Sequence, residues 1–108
     1  MKEEFLHYIW QQGLFNKDNI FTSDGVELEI LSSGELNRDS GPDFFNAKIR
    51  LGQTLWVGNV EIHIKSSDWE KHNHNHDKAY NNVILHVVYE NDKIIHSMTG
   101  EEIPCHEI

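Results

Sequence analysis

Residues 55–65 read LWVGNVEIHIK. Val60, Ile62 and Ile64 alternate with Glu61, His63 and Lys65. Strand side chains repeat every two residues, so this pattern puts one apolar and one ionisable face on a single strand. A carboxylate, an imidazole and an amine on one face form a candidate site. The plainer reading is a solvated face with cross-strand charge pairs.

The elements on either side set the expected fold. Residues 44–51, FFNAKIRL, form a second strand, with Phe45, Ala47, Ile49 and Leu51 expected on one face and Lys48 and Arg50 opposite. Gly52-Gln53 reads as the hairpin turn between them. Upstream, VELEIL (26–31) alternates as a half-buried strand after the turn TSDG (22–25). GELNRDSGPD (34–43) reads as loop, broken by Gly41-Pro42. EEFLHYIWQQG (3–13) is expected as a helix, because Phe5, Leu6, Ile9 and Trp10 recur at helical spacing and Gly13 stops it.

Downstream, residues 66–82 are polar, with short helical turns expected in SSDWEKH and DKAYNN. VILHVVYE (83–90) is the longest apolar run and suits a central strand buried on both faces. The preceding segment is long enough for a crossover, which allows a parallel neighbour. Asn91-Asp92 turns the chain, and Lys93–Met98 is expected to return as an edge strand. The resulting class is α+β: an N-terminal helix, a three-stranded antiparallel meander, a short helical crossover and a further central strand, in the order αβββαβ.

The chain has 108 residues, which suits one domain with a packed core. A single cysteine, Cys105, excludes an internal disulfide and fits a reducing compartment. The first ten residues do not read as a secretory signal, because Glu3, Glu4 and His7 interrupt the apolar positions. No apolar run approaches the roughly 20 residues a membrane helix needs. On these grounds the chain is read as cytoplasmic, with no membrane partner. A formal net charge of −9 disfavours tight binding of nucleic acid by this segment, because phosphate recognition relies on Lys and Arg.

Two groups of residues carry candidate chemistry. Asp43 and Glu61 are the candidate carboxylate ligands for Mg²⁺ or Mn²⁺, with Glu4 (or Glu3) reaching in from the helix. His63 or Lys65 would then orient water or stabilise negative charge. Asp43 has the parity of the apolar face of its strand, so a bulge or bend at the strand entrance is required to bring it to Glu61. The common face of Glu61, His63 and Lys65 is expected to border a concave surface near the helix. The second group is His72, His74, His76 and Asp77, an alternative zinc set. In an extended segment the three imidazoles share one side, whereas in a helix His72 and His76 become neighbours. Exposed histidines in a hydrophilic loop are the plainer reading. His86, inside VILHVVYE, reads as a hydrogen-bonded core histidine.

Pro42-Asp43 and Glu61-Ile62-His63, on consecutive strands, resemble the PD-(D/E)XK nuclease motif, with His63 in the lysine position and Lys65 two residues further on. That resemblance implies a metal-dependent phosphodiesterase or nuclease. More extensively, EEFLHYIW, GPDFFNAKI, LWVGNVEIHIKSSDW, HDKAY and NVILHVVYE resemble the bacterial family called domain of unknown function 2851. Its members are generally longer, which implies that residues 1–108 are an N-terminal domain or fragment with a downstream domain as partner. The competing expectations are a catalytically inactive binding or assembly module and a histidine-rich zinc-binding module.

Overall fold

The computed structural model describes residues 1–108. The first helix, α1 (Glu3–Gln12), has acidic residues in its first turn and ends at Gly13, whose left-handed backbone (φ 67°) lets the chain leave. Leu6 and Trp10 are its buried stripe. The strands are β1 (Ile20–Phe21), β2 (Glu27–Ser32), β3 (Glu35–Leu36), β4 (Phe44–Leu51), β5 (Thr54–Lys65), β6 (Val83–Glu90) and β7 (Cys105–Glu107). Between β5 and β6 lie the one-turn helix α2 (Asp68–Lys71) and two 3-10 turns, His74–His76 and Lys78–Tyr80.

The sheet order is β1-β2-β4-β5-β6-β7, with β3 paired to β4. Pairing is antiparallel from β1 to β5 and parallel from β5 to β7. The sheet curls until its outer ends nearly meet. The Ser23 N–H donates to the Cys105 carbonyl at 2.7 Å, and His106 Nδ1 lies 2.9 Å from the Phe21 carbonyl oxygen. The fold is therefore α+β, with one helix against a nearly closed, strand-rich sheet.

Each face of this sheet has its own core. Leu6 and Trp10 of α1 pack with Phe44, Ala47, Ile49, Val60, Ile62, Leu85 and Val87. On the other face, Trp69, Tyr80, Ile95 and Ile103 form a smaller cluster. The two clusters explain why β6 reads as continuously apolar: residues 85–88 are all buried, and β6 has a core on each side.

Two local expectations need correction. Phe44, not Phe45, enters the main core, and Phe45 is exposed. The register shifts between Phe44 and Ala47, where Asn46 adopts a left-handed φ of 58°. This bulge inserts a residue and reverses the parity of the strand entrance. Lys93–Met98 does not form an edge strand: only an isolated bridge, His96 to Glu102, is present. The edge is taken instead by β7, from the tail, because its parallel pairing with β6 brings the buried His106 beside Val87.

Gly58 marks the tightest approach in the sheet. A Cβ there would lie 2.5 Å from Ile84 Cγ2 and 2.8 Å from the Asn82 carbonyl oxygen. Gly58→Ala should therefore destabilise the fold by about 1–3 kcal/mol through overpacking. Urea denaturation checks this; an unchanged midpoint would show that the β5–β6 edge can open without cost.

Candidate functional site

The bulge at Asn46 decides the geometry of the site. Phe44 pairs with Val60 on the main-core face, so Asp43, one residue earlier, falls on the side of Glu61. The Asp43 N–H donates to Glu61 Oε1 at 3.1 Å, and the Ile62 N–H donates to Asp43 Oδ2 at 2.8 Å. The two carboxylates are thus clamped by the backbone of the facing strand.

His7, on α1, brings the helix to this pair. Its Nε2 lies 3.3 Å from Asp43 Oδ2 and 3.8 Å from Glu3 Oε1. Glu3, His7 and Asp43 each offer a donor atom within 4.8 Å of the others, and all three are half-buried. Glu4 is exposed and lies outside this group; Glu3, one position earlier, faces it. His7 was not among the sequence candidates. The available signal was its i,i+4 spacing from Glu3, which places both on one side of the helix.

Glu61 continues to the other side. Its Oε2 is 3.3 Å from His63 Nε2 and 2.7 Å from His74 Nε2. His63 Nδ1 lies 2.7 Å from His86 Nε2. His72 sits beside them, and the ring nitrogens of His63, His72 and His74 come within 4.8 Å of one another. Glu61 and His63 are nearly inaccessible, at 4 % and 1 % exposure. The crossover segment roofs them, so they do not border an open concave surface. Lys65 is exposed at the end of β5, where its N–H donates to the Asp68 carboxylate.

The remaining members of the zinc alternative separate. His76 lies outside the imidazole cluster, with its Nε2 3.4 Å from the Asn75 side-chain nitrogen. Asp77 caps the second 3-10 turn by accepting from the Ala79 N–H. Asn73, left-handed at φ 58°, breaks the helical path after α2 and carries His72 and His74 to the same place.

Burial sets the protonation states. It pushes the Glu61 carboxyl well up, and the neighbouring Asp43 charge pushes it further. Burial also raises Asp43, but hydrogen bonds from His7, Glu61 and the Ile62 N–H outweigh it and hold that carboxyl below the usual range. The two carboxyls are thus pushed in opposite directions, Glu61 toward the acid and Asp43 toward the carboxylate. The hydrogen bond with Asp43, opposed by burial, raises His7. Burial, reinforced by neighbouring imidazoles, lowers His63 to about 2, His74 to about 4 and His86 to about 3, so these rings are neutral at pH 7.

The family model described as protein of unknown function (DUF2851) matches residues 3–108. The chain belongs to the DUF2851 family. The match spans α1 and every strand, so the carboxylate pair and the imidazole cluster both lie within the family's own domain. No curated protein and no solved structure matches the chain. No helix is long and apolar enough to cross a membrane.

Proposed function

We propose that this DUF2851 domain is a divergent metal-dependent phosphodiesterase whose reaction site is the half-buried group Glu3, His7 and Asp43, backed by Glu61. The observation that carries the reading is the Asn46 bulge, which turns Asp43 out of its strand's apolar parity and onto Glu61. An irregularity that re-aims one carboxylate at another is a common device near active sites.

The donor set suits a divalent ion, because carboxylate and imidazole atoms lie within 4.8 Å of one another. Its mixed character favours Mn²⁺ over Mg²⁺, which prefers oxygen alone. Such an ion supplies Lewis acidity and lowers the pKa of a bound water. Glu3, His7 and Asp43 would hold it. Glu61 fixes the Asp43 backbone by accepting its N–H at Oε1. His7, whose Nε2 lies beside Asp43 Oδ2, would bind the ion as a neutral imidazole. Neither His63, turned to His86 and buried, nor Lys65, exposed at the strand end, is needed for this role. With a net charge of −9, long polyanions require basic surface from elsewhere in the full-length protein.

The test is Mn²⁺-dependent hydrolysis of a generic phosphodiester by the full-length protein and by this domain, each beside its Asp43→Asn and Glu61→Gln variants. Activity confined to the full-length protein, falling by roughly a hundredfold or more in Asp43→Asn, supports the reading. Activity equal in wild type and Asp43→Asn removes the site. A second reading, a catalytically inactive assembly module, draws on exposed Trp56 and Val57, which line one groove with exposed Phe45. Absence of hydrolysis from full-length protein, together with stable association through this strip, would favour it.

A further inference from the structure

We propose that His63, His72 and His74 form a separate binding site for one divalent transition-metal ion, zinc above all, with Glu61 Oε2 as fourth donor. This goes beyond the reaction site, since none of the three histidines belongs to the Glu3–His7–Asp43 group.

The donor geometry is the first ground. The three imidazoles bring ring nitrogens within 4.8 Å of one another. Zinc–nitrogen bonds of about 2.0–2.1 Å in a tetrahedron place neighbouring donors roughly 3.3 Å apart. His63 Nε2 and Glu61 Oε2 stand at 3.3 Å, and His74 Nε2 and Glu61 Oε2 at 2.7 Å. These donors already converge closely, and a modest spread would admit an ion.

The second ground is unsatisfied polarity. His63 Nε2 and His74 Nε2 are buried without a hydrogen-bond partner, although Glu61 Oε2 is near both. The atoms approach, but their directions do not make hydrogen bonds. Buried polar atoms without partners are costly, and atoms facing one common point suit a shared ion. The rings' far sides are organised too. His63 Nδ1 meets His86 Nε2 at 2.7 Å, the outer-shell contact that fixes a ligand's tautomer. Tyr80 stacks on His74 with centroids 3.8 Å apart, and Trp69 packs edge-on to His74 and His86. An aromatic wall of this kind keeps water from competing.

Chemistry selects the ion class. Imidazole favours borderline metals such as zinc, whereas calcium and magnesium prefer oxygen. The mostly buried position and four protein donors describe a closed structural site rather than one with an open position for substrate. His72 is the exposed member and gives the ion its way in.

The experiment is titration of metal-free protein with Co²⁺, read by visible absorption, followed by displacement with Zn²⁺. We expect one Co²⁺ per chain to take the intense spectrum of four-coordinate cobalt, bleached by zinc; an ion held by Glu3, His7 and Asp43, with positions left for water, would add only a weak signal. His72→Ala, at an exposed position, should fold and should weaken binding at least roughly tenfold, the loss that an outer-shell partner alone produces. His76→Ala and His96→Ala, at exposed positions outside both groups, should leave the four-coordinate spectrum and its affinity unchanged. Absence of the four-coordinate spectrum, or equal losses in His72→Ala and in His76→Ala or His96→Ala, would overturn the assignment. The readout involves no phosphodiester, so failure of the proposed hydrolysis and failure of this site are separately visible.

Discussion

Acidifying the metal-free protein from pH 6.5 to 4.5 should remove on the order of 3–5 kcal/mol of folding stability. The source is the buried imidazole cluster. His63, His74 and His86 have folded values of about 2, 4 and 3, against an ordinary 6.5. Unfolding between those limits takes up protons that the folded chain refuses. Their contribution is complete above pH 6.5 and is lost as pH falls toward the folded values. Glu61 has the opposite sign. Raised from 4.5 to about 10, it keeps a proton that the unfolded chain has released. Its contribution is complete below pH 4.5 and lost as pH rises, so acidification regains part of what the histidines lose. His74 lies nearest to solvent of the three and counts for less. The net is an uptake of one to two protons on unfolding, on the order of 1–3 kcal/mol per pH unit. Urea denaturation in chelator-containing buffer across this range measures it directly. Stability that stays flat, or rises on acidification, would show that the imidazoles are not held neutral.

The second large effect is expected at Trp69. Its side chain is 1 % exposed and forms the floor shared by the smaller core and the imidazole cluster. Ring centroids lie 5.1 Å from His86, 5.4 Å from His74 and 5.6 Å from Tyr80. Trp69→Ala should cost about 3–5 kcal/mol, from lost burial and the cavity left under the crossover. Trp56→Ala is the control. Trp56 is 47 % exposed on β5, and its removal should stay within about half a kcal/mol. Chemical denaturation of both variants checks the contrast; equal losses would mean that the crossover segment packs less tightly than its contacts indicate.

The two effects share an origin in the way β5 is covered. Its polar face is not a surface. Glu61 and His63 are buried because the segment between β5 and β6 folds back over them, with Trp69 and Tyr80 as its apolar anchors. The polar groups beneath satisfy one another in part: carboxyl against carboxylate, imidazole against imidazole. Half-satisfied buried polar networks weaken a fold unless something completes them. A bound ion would complete this one, which is why metal affinity and acid stability are informative measurements on the same cluster.

Much of the α+β class was legible in the sequence. Period-two alternation in VELEIL and LWVGNVEIHIK, helical spacing in EEFLHYIW and continuous hydrophobicity in VILHVVYE are local signals. They follow from which side of each element meets a core. The sequence also showed that Glu61 and His63 share a face, because that follows from the pleat alone. Other features depended on contacts between distant residues. The left-handed backbone at Asn46 is one such feature: it moves Asp43 across the strand, exposes Phe45 and buries Phe44. Nothing in the alternation of FFNAKIRL announces a residue outside the count. The approach of His7 to Asp43 needs α1 docked on the sheet, and the meeting of His63 with His72 and His74 needs the crossover folded over β5. The short tail strand Cys105–Glu107 exists because β6 offers it an open parallel edge. Periodicity determines which face a side chain takes. Only the assembled chain determines what that face meets, because the partners come from elements whose docking is set by the burial of other residues.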